Sequence, residues 1–329
     1  MEFNNVEAFV PVPEREGLLM QRIPRDVEAR VRPGTAEKCR SPANVEIRFV
    51  PSAFPVHLSF VCYESDVSCA VYAGDYQIEE YRFSPGTITL EIQKPERMEN
   101  LELLPEKKRF SPWVIRILFF SKFSKLHFLS AKGEMRPPLK NELPACRYLT
   151  YGTSITQGYN ACSPALTYGA QAAWRMGWDY INLGVGGQAF CEEAMAYHIA
   201  QRDDWDVFSA CISVNMLMQN VDEQEFRNTI RTFWKVIAER NPEKHLYAIS
   251  IFPYFADRGI IGECTLSSTP GEYRKALQEV CGEFDCIHYI DGQELMSFSN
   301  LSSDLIHPGT LGMIEIGEKL SKIFENTLG

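Results

Sequence analysis

The chain has 329 residues, 45% hydrophobic and 23% charged, with 43 acidic side chains against 33 Lys and Arg and a formal net charge of −10. That length suits two domains with cores of their own, and that charge, with no Lys/Arg block, argues against nucleic acid or an anionic membrane as partner. No run reaches the ~18 apolar residues of a membrane span, and Met1–Gly17 carries four glutamates and no apolar core of signal-peptide length. The ten cysteines, Cys264 among them, lack CxxC spacing and several lie in apolar runs. Reduced thiols in a soluble cytoplasmic protein are expected, with no disulfide framework and no zinc site.

From the N-terminus, Val45–Val50 alternates apolar and polar residues as a half-buried strand does, and His57–Cys62 and Thr87–Ile92 repeat the pattern. Trp113–Phe120 and Lys125–Leu129 supply two more strands, and Arg32-Pro33-Gly34 and Ser84-Pro85-Gly86 read as turns. Short strands with no helical period between them predict an antiparallel β-sandwich. The proline-containing passage Ala131–Pro144 reads as a linker, dividing the chain into residues 1–141 and 142–329.

Beyond it strands and helices alternate. Cys146–Tyr151 is a buried strand ending at Gly152, and a helical segment begins near Pro164. Tyr180–Leu183 is a strand leading into Gly184-Val185-Gly186-Gly187, Cys191–Arg202 a helix, and Asp206–Val214 a long buried strand. Asp222–Arg240 is an amphipathic helix, with Phe226, Ile230, Phe233 and Ile237 on one stripe. His245–Phe252 and Cys286–Ile290 are further strands, with helices at Pro270–Gly282 and Pro308–Leu328. This order predicts an α/β domain, a three-layer parallel sheet with ligands at the C-terminal ends of its strands.

Four features fall at those ends. Ser154 follows a strand and a glycine, where a short side chain stands beside free backbone N–H groups. In Asp304-Leu305-Ile306-His307-Pro308, a carboxylate three residues from a histidine can hold one ring nitrogen and leave the other as a base. Alone, that pattern describes a local turn better than a catalytic pair. Gly187 offers a bare N–H or simply a tight turn, and Asn215 offers its amide or simply a helix cap. With Ser154 they would make an oxyanion hole.

Taken in order, Gly152-Thr153-Ser154, Asn182–Gly187, Val214-Asn215 and Asp304–Pro308 resemble the four blocks of the SGNH hydrolases, the GDSL-type esterases. The resemblance implies a flavodoxin-like catalytic domain with Ser154 as nucleophile, His307 as base and Asp304 orienting it. It also implies an oxyanion hole from Ser154, Gly187 and Asn215; no cofactor or metal is expected. Three positions depart from the family pattern: Thr153 stands for the usual Asp, Ser213 for a usual glycine and Met216 for a frequent Asp. A jelly-roll-like sandwich ahead of the domain resembles members acting on acylated carbohydrates or other small esters. The expected activity is a serine esterase working through an acyl-enzyme on a small-molecule or carbohydrate ester. An acyltransferase with the same intermediate, a phosphate- or flavin-binding module, and a non-catalytic binding protein remain as alternatives. Oligomeric state is not legible. Among other residues, His57, His127, His198, His245 and His288 form no ligand spacing, Trp174, Trp178 and Trp205 read as packing residues, and Tyr254 and Phe255 read as a border of the site.

Overall fold

The computed structural model describes residues 1–103, 109–260 and 266–328, so the Cys264 thiol lies outside the described residues. The N-terminal part contains strands β1 (Glu2–Asn4), β2 (Ala8–Pro11), β3 (Leu18–Gln21), β4 (Ala43–Pro51), β5 (Val56–Tyr63), β6 (Val67–Ala73), β7 (Tyr76–Phe83), β8 (Gly86–Ile92), β9 (Ile115–Phe120), β10 (Lys125–Lys132) and β11 (Met135–Arg136). They form two antiparallel sheets, ordered β1-β4-β9-β6-β7, with β11 also on β4, and β2-β3-β10-β5-β8. Val45, Ile47 and Phe49 of one sheet and Val56, Leu58 and Phe60 of the other share a single buried cluster, as period-two strands facing each other must.

Two expectations change here. Arg32-Pro33-Gly34 is not a turn between strands: Pro33–Cys39 is a helix with Pro33 in its first turn, where a missing N–H costs nothing. Residues 131–136 are not linker either, since Ala131–Lys132 and β11 still pair with β5 and β4. The rest of that passage is held by Arg136, which donates to both carboxylate oxygens of Glu142 at 2.7 Å.

The second part is a parallel sheet of β12 (Arg147–Gly152), β13 (Asp179–Gly184), β14 (Val207–Cys211), β15 (His245–Ile249) and β16 (Ile287–Ile290), ordered β13-β12-β14-β15-β16. Side chains alternate between its faces. Leu149, Tyr151, Phe208 and Leu246 pack on one side with helices Glu193–Gln201, Glu223–Arg240 and Pro270–Cys281. Tyr148, Val207 and Tyr247 pack on the other with helices Tyr168–Met176 and Thr310–Leu328. Strand order 2-1-3-4-5 is the flavodoxin-like arrangement, and it opens a crevice beyond the C-terminal end of its first strand, here β12. Trp178 and Trp205 are buried as expected; Trp174 is not, being 53% exposed on its helix.

Strand β4 is buried on both faces rather than half-buried, because its polar face meets the parallel-sheet part. Arg48 is fully buried there, donating from Nε to Glu46 and from Nη1 to Asp179 at 2.8 Å each, while Arg116 donates to Glu46 at 2.6 Å and Arg147 to Asp179 at 3.0 Å. Burial alone would raise both carboxyl pKa values. The guanidiniums of Arg116 and Arg48 around Glu46, and of Arg48 and Arg147 around Asp179, outweigh it and hold both below the ordinary range. Carboxyls depressed in the folded state contribute stability that is complete above their unfolded values, near pH 4, and is lost as pH falls through the folded ones. Stability measured by urea unfolding is therefore expected to hold near neutrality and to decline below about pH 4. Arg48→Met, which leaves Glu46 with Arg116 alone and Asp179 with Arg147 alone, is expected to cost ~3–5 kcal/mol near neutral pH. A loss under ~1 kcal/mol would contradict a structural role for this network.

Candidate active site

Strand β12 runs into Gly152, and the chain must turn there with no side chain: a Cβ on Gly152 would stand 2.5 Å from the Cys211 carbonyl oxygen. Thr153 then caps a one-turn helix, Ser154–Gln157, its hydroxyl accepting from the Ile155 N–H at 3.3 Å. A threonine thus performs the local capping that a carboxylate would. Gly158, with φ +107°, ends the turn in the left-handed region. Ser154 is left at a helix start, where backbone N–H groups have no carbonyl within the helix.

The loop after residue 301 arrives beside it. His307 Nε2 lies 2.7 Å from Ser154 Oγ, and His307 Nδ1 lies 2.7 Å from Asp304 Oδ2. The other Asp304 oxygen accepts from the N–H groups of Ile306 and His307 at 2.9 Å and from the Ser302 hydroxyl at 2.8 Å. Partial burial would raise the Asp304 pKa, but those backbone N–H groups, with the imidazole and the Ser302 hydroxyl, bring it down to about 2. Asp304 is a fixed carboxylate with a fixed orientation, more than a turn former.

Gly187 has φ +73° and open space where a side chain would be, so the turn reading is correct and leaves its backbone bare to the cleft. Its N–H makes no hydrogen bond among the described residues. The neighbouring Gly186 N–H is taken by Gln157 Oε1 at 2.8 Å, which anchors this turn to the Ser154 helix. Asn215 differs from expectation in its element: β14 ends at Cys211, and Asn215 sits inside the helix Ser213–Met218 instead of capping it. Its Oδ1 accepts from the Ala189 N–H at 3.1 Å, so the amide's donor end is the one left for the cleft.

A cleft of about 280 Å³ joins Ser154, His307, Gly187 and Asn215. Tyr254 and Phe255 do not border it. Tyr254 is buried behind Ile306, and the Phe255 N–H donates to the Leu305 carbonyl at 3.0 Å, so this loop braces the His307 loop from behind. Several lining residues escaped sequence reasoning, four of them beside the reacting groups or charged. Gln157 lies three residues after Ser154, a spacing that places both on one side of a helical turn. Tyr159 carries the His307 ring at 4.4 Å between centroids. Lys38 and Lys122 come from the sandwich, and nothing local to either residue signals the contact. Among the described residues no three His, Cys, Asp or Glu side chains cluster as metal ligands would.

Residues 150–313 match the model of the GDSL-like lipase/acylhydrolase family. No curated protein sequence matches the chain. Among solved structures it is similar to a salicylyl-acyltransferase from a tetracycline biosynthetic pathway, with 17% identity over 99% of this chain and 95% of that one and a TM-score of 0.77. It is similar also to a Bacteroides ovatus protein described as a GDSL-like lipase, with 16% identity over 100% and 96% of the two chains and a TM-score of 0.68. A family two carbohydrate esterase from Clostridium thermocellum, solved in complex with cellohexaose, shares 13% identity over 88% and 93%, with a TM-score of 0.60. At such identities these likenesses speak for the fold. Together with the family match they extend it over both parts of the chain. Through residues 150–313, behind an N-terminal β-rich part, the chain belongs to the GDSL-like lipase/acylhydrolase family.

Proposed function

We propose that the protein is a serine esterase of small carboxylic esters, with residues 1–141 as the sandwich domain and 142–329 as the hydrolase domain. One observation carries the proposal: the two 2.7 Å contacts that link Ser154 through His307 to Asp304, with Ser154 and His307 lining an open cleft. Ser154 Oγ attacks the ester carbonyl while His307 Nε2 takes its proton, and Asp304 stabilises the imidazolium that forms. The carbonyl oxygen becomes an oxyanion held by the Gly187 N–H, the Asn215 amide and the Ser154 N–H. Collapse expels the alcohol, which leaves with the proton from His307. Water, deprotonated by the same ring, then releases the acid and restores Ser154.

Acetylated or similarly acylated carbohydrates are the substrate class we favour. A cleft of about 280 Å³ admits a small acyl group, and a carbohydrate esterase of the same fold was solved with cellohexaose. Acyl transfer to an alcohol is the second reading, favoured by the likeness to a salicylyl-acyltransferase across 99% of this chain. The two differ in whether water or an alcohol meets the acyl-enzyme. A phosphate-cradling loop explains the position of Ser154 but leaves the His307–Asp304 contact without a role. A reducing, cytoplasmic setting suits the nine described cysteines, all of them free thiols. No helix among the described residues is long and apolar enough to cross a membrane.

On p-nitrophenyl acetate, Ser154→Ala and His307→Ala are each expected to lower kcat/KM by roughly 10⁴-fold or more, with the double variant little worse than either. Additive losses would mean that the two side chains act separately. Asn215→Ala is expected to lower kcat ~10²–10³-fold with little change in KM, since its amide bonds most strongly to the oxyanion. An effect confined to KM would reassign Asn215 to substrate binding.

A further inference from the structure

The cleft carries a charge opposite to that of the whole chain. Its lining includes two lysines, Lys38 and Lys122, and neither aspartate nor glutamate, in a protein of net charge −10. Neither ammonium forms an ion pair among the described residues. Lys122 Nζ donates to the Asn160 amide oxygen at 3.2 Å and lies 3.3 Å from the centroid of Tyr159, the ring stacked on His307. Lys38 Nζ lies 4.6 Å from the centroid of Phe123, another wall of the cleft. The neighbouring Lys125, by contrast, is paired with Glu37.

Both lysines are held where they are. Arg22 Nη2 donates to the Lys38 carbonyl at 2.8 Å, and Gln157 Nε2 reaches the Lys122 carbonyl at 3.4 Å. The bonds that fix the sandwich against the site therefore also anchor the backbone from which these two cations extend. Partial burial lowers the pKa of each, and Lys125 lowers that of Lys38 further; the charges of Glu37 near Lys38 and Asp304 near Lys122 offset only part of this. An anion between them would offset that desolvation. Long cationic side chains that form no ion pair among the described residues, on a half-buried wall beside a reacting centre, focus field into the cleft and favour a negative ligand.

We propose that Lys38 and Lys122 select esters bearing a negative charge, a carboxylate, sulfate or phosphate, on the part of the substrate that faces the sandwich. This rests on the esterase reading, and it makes the N-terminal domain the source of specificity.

Two matched pairs of esters test it. One places the charge on the acyl group (p-nitrophenyl hemisuccinate against p-nitrophenyl butyrate), the other on the alcohol (acetylated glucuronate against acetylated glucose). In at least one pair the wild type is expected to have the higher kcat/KM for the anionic ester. Lys38→Gln and Lys122→Gln are each expected to reduce that anionic-to-neutral ratio roughly fivefold, as loss of ~1 kcal/mol of ion pairing does. Lys122→Arg, keeping the charge, is expected to restore most of the ratio. Added salt is expected to lower the ratio in part, because the cleft is open to solvent ions. Neutral esters preferred in both pairs, ratios unmoved by the variants, or equal losses on both members of a pair would overturn the proposal. If Ser154→Ala keeps its activity, or wild type turns over no ester, the esterase reading fails and this inference falls with it. If Ser154→Ala is inactive while the ratios stay flat, only the inference fails.

Discussion

A single buried guanidinium ties the two halves of the molecule together at the place where chemistry is proposed. Arg22, fully buried, donates to the carbonyls of Ser41 and Lys38 in the N-terminal part and to those of Asn182 and Gly184 at the end of β13, all at 2.8–2.9 Å. Among the described residues it has no carboxylate partner; four carbonyl oxygens share its charge. Two of those carbonyls have further donors, Asn5 Nδ2 on Asn182 at 2.9 Å and the Ser41 hydroxyl on Lys38 at 2.8 Å, and a buried cation surrounded by anything less would be too costly to keep. Asn182 extends the contact: its amide donates to Asn44 and to the Thr156 carbonyl at 2.9 Å, and its oxygen accepts from the Gly184 N–H. The end of β13, the Ser154 helix and the loops of the sandwich are therefore one hydrogen-bonded unit.

The site inherits its geometry from that unit. In a parallel sheet of this order the crevice opens where neighbouring strands lead away on either side of β12. The residues leaving β12, β13 and β14 contribute Ser154, Gly187 and Asn215, and the loop after residue 301 brings Asp304 and His307 across the opening. Close backbone approach makes this possible. Gly184 and Gly186 sit so near Gln157 that a Cβ on either would fall within 2.6 Å of its atoms. The glycines of that turn thus serve packing against the Ser154 helix as much as any ligand.

Much of the hydrolase half was legible because a doubly covered sheet demands continuous apolar strands and stripes of spacing three and four. Phe226, Ile230, Phe233 and Ile237 are such a stripe, and all four are buried. Ser154, Asp304 and His307 were legible because their chemistry is local or confined to one short block. Less could be seen in the sandwich. β1, β2 and β3 are short, and β7 is largely exposed, so none carries a firm alternating signal. The second buried face of β4 and the places of Lys38 and Lys122 depend on partners over a hundred residues away in some cases, such as Asp179 for Arg48. Long-range pairing of polar residues leaves no periodic trace.

The central claim is that Ser154 carries the acyl group between the two half-reactions, and it has a direct chemical test. Wild-type protein mixed with a slowly hydrolysed p-nitrophenyl ester, quenched in acid within the first turnovers and digested, is expected to show the acyl mass increment on the peptide containing Ser154. The increment should appear together with a burst of nitrophenol. An increment on another residue, or turnover with no covalent species and no burst under conditions where deacylation limits the rate, would contradict the account.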